Sequence, residues 1–367
     1  MIQDIAPMKF HNEYQQRECR DKDIVFLFSG NKLLVKKDSK ISFFYMKEFT
    51  NELTKETEQE ADGFGNKRLQ YLFSIDDVQY YLLKVWSKEE AEKEVEKQLD
   101  EQVDRQSKKQ NDNIGNMEWV TIRSLRETVS KKDCFAAATA YHLYVWYRDN
   151  RYCGRCGKEL QPDTKERMMR CACCGNMVYP KIAPAVIVGV IYDNKILMTK
   201  YSDREYKKYA LIAGFTEIGE TAEETVRREV MEEVGLKVKD IVYYKSQPWG
   251  FDSNLLMGFY ARVEGTDAIT LDKNELSLAE WVPREQVAGM DDKISLTREM
   301  MEQRAAKACS TVLTFIPFFI STVPRVVSPT FSATASIIGC PSRSIRWILY
   351  PWLSGAGLNV TVKFTPV

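Results

Sequence analysis

Four cysteines constrain this chain more tightly than any other feature. Cys153-Gly-Arg-Cys156 and Cys171-Ala-Cys-Cys174 are two C-x2-C knuckles separated by 14 residues. Zn²⁺ is held tetrahedrally by thiolates at about 2.3 Å, and each two-residue spacer lets a tight turn aim two sulfurs at one ion. Gly154, Gly157 and Gly175 supply the backbone freedom for those turns. Cys173 leaves no two-residue spacer to Cys171, so Cys174 is the expected fourth ligand. Because cysteine fills all four positions, no coordination site stays open, and the expected zinc, one per chain, is structural rather than catalytic. The alternative is a set of free buried thiols.

All nine cysteines together make an odd count, and five of them crowd into 22 residues, which is a poor disulfide framework. The first residues, MIQDIAPMKFHNEYQQRECRDKD, hold no apolar run and no small-residue cleavage site. A reducing cytoplasm is the expected location. His11 and His142 are the only histidines, which disfavours chemistry built on several imidazoles.

The 367 residues are enough for two or three domains, and 44% of them are apolar, enough for real cores. Lys plus Arg and Asp plus Glu both number 52, so the chain shows no basic excess of the kind that grips nucleic acid. The balance conceals an asymmetry. Glu302 is the last acidic residue, and six basic residues follow it, so residues 1–302 carry 46 basic against 52 acidic side chains.

Residues 1–135 read as an α+β domain with no evident chemistry. DIVFLFSGNKLLVKK alternates like strands and turns at Gly30–Asn31. The run at 87–113 reads as a solvated helix leading into a loop. CFAAATAYHLYVW (134–146) reads as a buried helix, with His142 packed rather than ligating. AVIVGVIYDNKILMTKY (185–201) reads as two strands through an Asp193–Asn194 turn.

The segment from Gly214 to Leu236, GFTEIGETAEETVRREVMEEVGL, has a physical logic of its own. Thr221 and Glu224 form a capping box, and Gly235 stands where a helix ends in a left-handed residue. Between them about 13 residues fit a helix, with Ala222, Val226, Val230 and Val234 on one buried stripe. At about 100° per residue, Glu229 and Glu233 project within about 40° of each other, with Glu232 nearby. Carboxylates crowded in this way repel unless cations lie among them, and hard oxygen donors suit Mg²⁺ or Mn²⁺. A charged surface helix is the competing reading, but it leaves Gly214, Gly219, Glu220 and the Arg228–Glu229 pair unexplained.

The segment is identified as a Nudix box, G-x5-E-x7-R-E-U-x-E-E-x-G-U with U aliphatic, through Gly214, Glu220, Arg228, Glu229, Val230, Glu232, Glu233, Gly235 and Leu236. The four-cysteine ribbon, YPKIAPAVIVGV (179–190), the box and SQPWGFDSNLLMGF (246–259) together resemble the bacterial NADH pyrophosphatases, or NAD⁺ diphosphatases, over about residues 136–302. Their downstream motif is SQPWPFPxS. Ser246, Gln247, Pro248, Trp249 and Phe251 match it, whereas Gly250 and Asp252 stand in place of prolines and Asn254 in place of the serine. Loss of two prolines predicts a less rigid loop and puts preference among dinucleotides in doubt.

The resemblance implies a multidomain chain: an N-terminal α+β domain (1–135), a helix plus zinc ribbon (136–180) and a Nudix α/β/α sandwich (181–304). It implies metal-dependent hydrolysis of the pyrophosphate bond of NAD(H) to NMN(H) and AMP by a homodimer, a hydrolase acting on acid anhydrides. Glu229, Glu232, Glu233, the Ala213 carbonyl and Glu275 would hold the catalytic Mg²⁺ or Mn²⁺. Glu233 would take a proton from water, and Arg228 would orient the carboxylates. Tyr179, Phe215, Gln247, Pro248, Trp249, Phe251, Asn254, Thr297 and, from a partner subunit, Glu166 would meet the substrate. For Trp249 and Phe251, core packing is the rival reading. NAD-capped RNA is a second substrate the resemblance admits. ADP-ribose or dinucleoside polyphosphates form a third class, and a non-catalytic nucleotide sensor is the reading outside enzymes.

Residues 305–367 hold six prolines and apolar clusters such as TVLTFIPFFI (311–320), too short and too Pro-interrupted for a spanning helix. They read as a non-native tail, with membrane association as the alternative; no stable membrane partner is expected.

Overall fold

The computed structural model describes residues 1–15, 17–49, 68–94, 117–202, 208–287, 294–306, 351–354 and 357–360. The chain forms two compact units, Met1–Ser310 and Thr311–Val367. In the second, Pro351–Ser354 and Gly357–Val360 pair as an antiparallel hairpin. The expectations for the rest of the tail, and for the charged run beyond residue 94, lie outside the described residues. No helix among the described residues is long and apolar enough to cross a membrane.

In the first unit the N-terminal strands form two sheets. Five strands run in the order Phe10–His11, Leu69–Ile75, Val78–Leu83, Ile24–Phe26, Phe44–Tyr45. Lys32–Lys37 anchors the other sheet, pairing with Phe28–Ser29 through the expected turn, where Gly30 has φ 57°. Helix α1, Lys131–Asp149, covers this domain. Ser130 caps its N-terminus by accepting from the Asp133 amide. Its Phe135, Ala137, Tyr144 and Tyr147 join Phe26, Phe28, Leu33, Phe73 and Leu82 in one core. Residue 136, where a domain boundary was expected, lies inside this helix. His142 accordingly sits half-buried, its Nε2 2.7 Å from the Lys181 carbonyl, and burial lowers its pKa.

The ribbon is a three-stranded antiparallel sheet of Leu160–Pro162, Met169–Cys171 and Met177–Val178. After it come β1 (Ala183–Tyr192), β2 (Lys195–Tyr201), β3 (Ile212–Phe215), helix α2 (Ala222–Val234), β4 (Val238–Trp249), β5 (Asn254–Val263), β6 (Leu276–Pro283) and helix α3 (Leu296–Ala306). The sheet order is β4-β5-β1-β2-β6, with β3 also paired to β1. β1 and β5 are parallel; the other pairs are antiparallel.

Side chains alternate along β1, and each face buries a different helix. Val186, Val188 and Val190 pack with Val226, Val230 and Val234 of α2. Ile187, with Ile196 and Met198, packs with Leu296, Met300 and Met301 of α3. The result is a sheet between helices: the expected sandwich.

Candidate active site and zinc ribbon

Thr221 caps α2, its hydroxyl accepting from the Glu224 amide while Glu224 accepts from the Thr221 amide; Gly235 ends the helix at φ 68°. The expected 13-residue helix is thus set by its own two ends. Its valine stripe faces the sheet, so Glu229 is carried against Gly214 of β3; Glu229 and Glu233 are buried, while Glu232 stays exposed.

Arg228 organises these acids. Its Nη1 donates to Glu229 Oε1 at 2.7 Å and to Glu232 Oε2 at 3.0 Å. Its Nε and Nη2 grip both oxygens of Glu220 at 2.6 and 3.0 Å, and Nη2 also reaches the Phe215 carbonyl at 2.8 Å. Charge-assisted, two-pronged bonds of this kind are strong and directional. The Arg228 guanidinium, helped by the Glu217 amide, holds the Glu220 carboxyl down at about 2. Glu229 moves the other way: burial raises its pKa, Arg228 opposes the rise, and Glu232 and Glu275 add to it.

The backbone brings the distant carboxylate to the helix. The Thr270 and Asp272 amides donate to the Val234 and Glu233 carbonyls at 2.9 and 3.0 Å, and the Glu275 carbonyl accepts from Ser202. Glu275 is exposed beside this junction. β3 supplies Ala213 and the exposed ring of Phe215.

The residues expected to meet a substrate separate into two groups. Tyr179 and Phe215 are exposed, Pro248 is exposed and Thr297 is half-buried in the first turn of α3. Tyr179 donates to Glu166 Oε2 at 2.7 Å within the same chain, which raises the Tyr179 pKa. Gln247, Trp249 and Phe251 instead turn inward. Gln247 is fully buried, donating to the Ile294 carbonyl and accepting from the Leu296 amide, both at 2.7 Å, so it anchors the start of α3. Trp249 and Phe251 meet edge-on at 4.8 Å inside the core they share with α1. For these two aromatics the packing reading holds in this structure, because α1 covers the face of the loop that carries them.

The expectation of a looser loop is corrected as well. A Cβ on Gly250 would come within 2.2 Å of the Ala138 carbonyl oxygen on α1, so the chain here runs flush against a helix backbone. Asp252 accepts from the Trp249 indole at 3.1 Å and pairs with Arg123. Contacts replace the restraint that prolines would have supplied.

In the ribbon, Cys153, Cys156, Cys171 and Cys174 present sulfurs all within 4.8 Å of one another, with Cys153–Cys174 at 3.6 Å and Cys156–Cys171 at 3.5 Å. A zinc tetrahedron with arms of about 2.3 Å has edges of about 3.8 Å, so the thiols fit a structural Zn²⁺. Cys173 is exposed and outside the set. Among the described residues this is the only group of three or more such donors gathered so closely. The box carboxylates are of the right kind for a hard cation but stand around Arg228.

Residues 181–303 match the family model described as the NUDIX domain, and residues 148–179 match the NADH pyrophosphatase zinc ribbon domain. Residues 22–146 match the NADH pyrophosphatase-like rudimentary NUDIX domain. No signal for this last match stands out in the chain, because the domain lacks the box that marks the other copy. NAD-capped RNA hydrolase NudC from Escherichia coli O9:H4 (strain HS) is 37% identical over 170 residues, covering 46% of this chain and 66% of that protein. The same figures hold for NAD-capped RNA hydrolase NudC of Shigella boydii serotype 18. The chain thus spans a little under two thirds of these relatives. Among solved structures, a NUDIX hydrolase from Nitrosomonas europaea is 23% identical, covering 42% of this chain and 92% of that one, with a TM-score of 0.36. With a zinc ribbon set between a rudimentary NUDIX domain and a box-bearing one, the chain belongs to the Nudix hydrolases of the NADH pyrophosphatase type.

Proposed function

We propose that this protein hydrolyses the pyrophosphate bond of NAD(H), releasing NMN(H) and AMP. The observation that carries the reading is the Arg228 clamp, which aligns Glu220, Glu229 and Glu232 at the edge of β3. In this reading Glu229, Glu232, Glu233, the Ala213 carbonyl and Glu275 hold Mg²⁺ or Mn²⁺. Once bound, the cation neutralises phosphate oxygens and acidifies the attacking water. Glu233, buried on α2, would accept the proton of that water. Arg228 takes one oxygen from each of Glu229 and Glu232 and so limits how they can turn. In this reading Phe215 and Tyr179, both exposed, offer rings to the substrate, and Pro248, Asn254 and Thr297 add further contacts. A homodimer, with Glu166 reaching a partner's substrate, and a cytoplasmic location complete the proposal, as do domain limits near residues 180 and 304, with the first limit moved to the end of α1 at Asp149.

NAD-capped RNA is a second substrate within the same bond cleavage, favoured by the relatives that bear that name. ADP-ribose and dinucleoside polyphosphates form the competing class. Purified protein with Mg²⁺ or Mn²⁺, given equimolar NADH, NAD⁺, ADP-ribose and diadenosine tetraphosphate, separates these readings by mass spectrometry of the products. Reduced nicotinamide mononucleotide and AMP should appear first, and Glu233→Gln should abolish them while the fold and bound zinc persist. Preferential loss of ADP-ribose or the tetraphosphate would move the assignment to the competing class. Full turnover by Glu233→Gln would end the proton-acceptor role.

A further inference from the structure

The segment Trp249–Asn254 joins β4 to β5 at the mouth of the sheet, and it is fastened from outside the catalytic domain. Arg123 pairs with Asp252, and the Arg126 guanidinium lies 5.2 Å from the centroid of the Trp249 ring. The Ala138 carbonyl of α1 lies where a Gly250 side chain would stand. Trp249 and Phe251 are built into the core of the N-terminal domain. Gln3 reinforces the same strand, donating to the Ser246 carbonyl at 3.2 Å. At the far end of the segment, Ser253 takes a left-handed φ of 58°, and Asn254, 8% exposed, follows it. The Asn254 Oδ1 is buried and has no hydrogen-bond partner among the described residues. A buried acceptor without a donor is costly unless a ligand supplies one.

We propose that the N-terminal domain serves the reaction by holding this loop, and that Asp252 is the positioning residue that ties Trp249 and Arg123 together so that Asn254 meets a donor N–H of the substrate. The inference rests on the reading that the loop contacts the dinucleotide. Asp252 is suited to the task by its two partners: the indole N–H belongs to the loop and the guanidinium to the N-terminal domain. The Arg123–Asp252 pair is half-exposed, with side chains 54% and 41% accessible. Exposed pairs add little to stability, so the consequence of losing it should be displacement of the loop rather than unfolding.

The test uses the full chain with Mg²⁺ and NADH. Asp252→Ala should raise KM about fivefold with kcat within about twofold of the parent, since small misplacements of a contact residue weaken binding. Asp252→Asn keeps an acceptor for the indole N–H and should recover much of that loss. Calorimetric Kd for NADH, measured in a Glu233→Gln background, should rise in parallel, and Arg123→Ala should reproduce the effect if the first variant does not fold. Unchanged KM and Kd in both Asp252→Ala and Arg123→Ala would overturn the proposal, as would a fall in kcat at constant KM. A parent chain that binds NADH but leaves it intact would count against the hydrolase reading alone, with the Kd series still deciding the role of Asp252.

Discussion

Gly214 on β3 lies directly against the carboxyl group of Glu229 on α2: a Cβ at position 214 would stand 1.9 Å from both Glu229 Cδ and Oε1. The glycine that opens the box is therefore a space requirement of the acid fifteen residues later, and not a turn requirement, since β3 is extended there. Gly214→Ala should push Glu229 off the sheet and away from Arg228. Turnover of the dinucleotide should fall about 100-fold or more, because the carboxylate loses its placement. The fold should lose only about 1–3 kcal/mol, the usual cost of overpacking. Steady-state kinetics with urea unfolding on the same variant checks both, and a Gly214→Ala chain with parental turnover would refute the placement.

The ribbon yields a paired prediction. Cys174 belongs to the four-sulfur set and Cys173 does not. Zinc content measured by plasma mass spectrometry should stay near one equivalent in Cys173→Ser and fall well below it in Cys174→Ser. Because zinc binding in such modules is coupled to folding, a chelator should melt the ribbon. Equal zinc in the two variants would mean the ligand set is misassigned.

At position 250 the family's proline can be tested by restoring it. With the Ala138 carbonyl only 2.2 Å from the Cβ position, Gly250→Pro should destabilise rather than stiffen the loop, by about 1–3 kcal/mol. Chemical denaturation gives the sign. Stabilisation by the substitution would show that α1 can move aside.

Lys84 follows Val78–Leu83, and burial pulls its ammonium down to about 8 from an ordinary 10.5. Between those values the unfolded chain holds a proton that the folded chain has released, so this group makes stability rise with pH across that window. Lys84→Met should stabilise the fold at pH 7, by about 1–3 kcal/mol, and the advantage should vanish near pH 10.5. Thermal unfolding of parent and variant at the two pH values reads this out; a gain that persists at high pH would show that packing, rather than charge, is responsible.

Much of the catalytic domain was legible because its signals are local. The ends of α2 are written in Thr221, Glu224 and Gly235, whose capping bonds span three or four residues. The β1–β2 hairpin follows from Asp193, at φ 49°, and the zinc ligands from their spacing. What failed to show was which side chains another domain would cover. Gln247, Trp249 and Phe251 read as substrate contacts, with core packing the rival for the two aromatics, and their side chains meet α1 and α3, elements more than 40 residues away in either direction.

By itself, the amino-acid sequence determined the elements and the chemistry they carry: an acid-rich helix behind a tight loop, a four-thiolate ribbon, and a strand-rich first domain. These depend on interactions within a few residues, where spacing alone decides which groups meet. Tertiary structure decided the rest. That Arg228 would bind three carboxylates at once, that Glu229 would need a bare Gly214 beneath it, and that Gly250 would lie flush on Ala138 all depend on how helices seat against strands. Such contacts join residues brought together only by burying apolar faces, and burial acts on area, without regard to position along the chain.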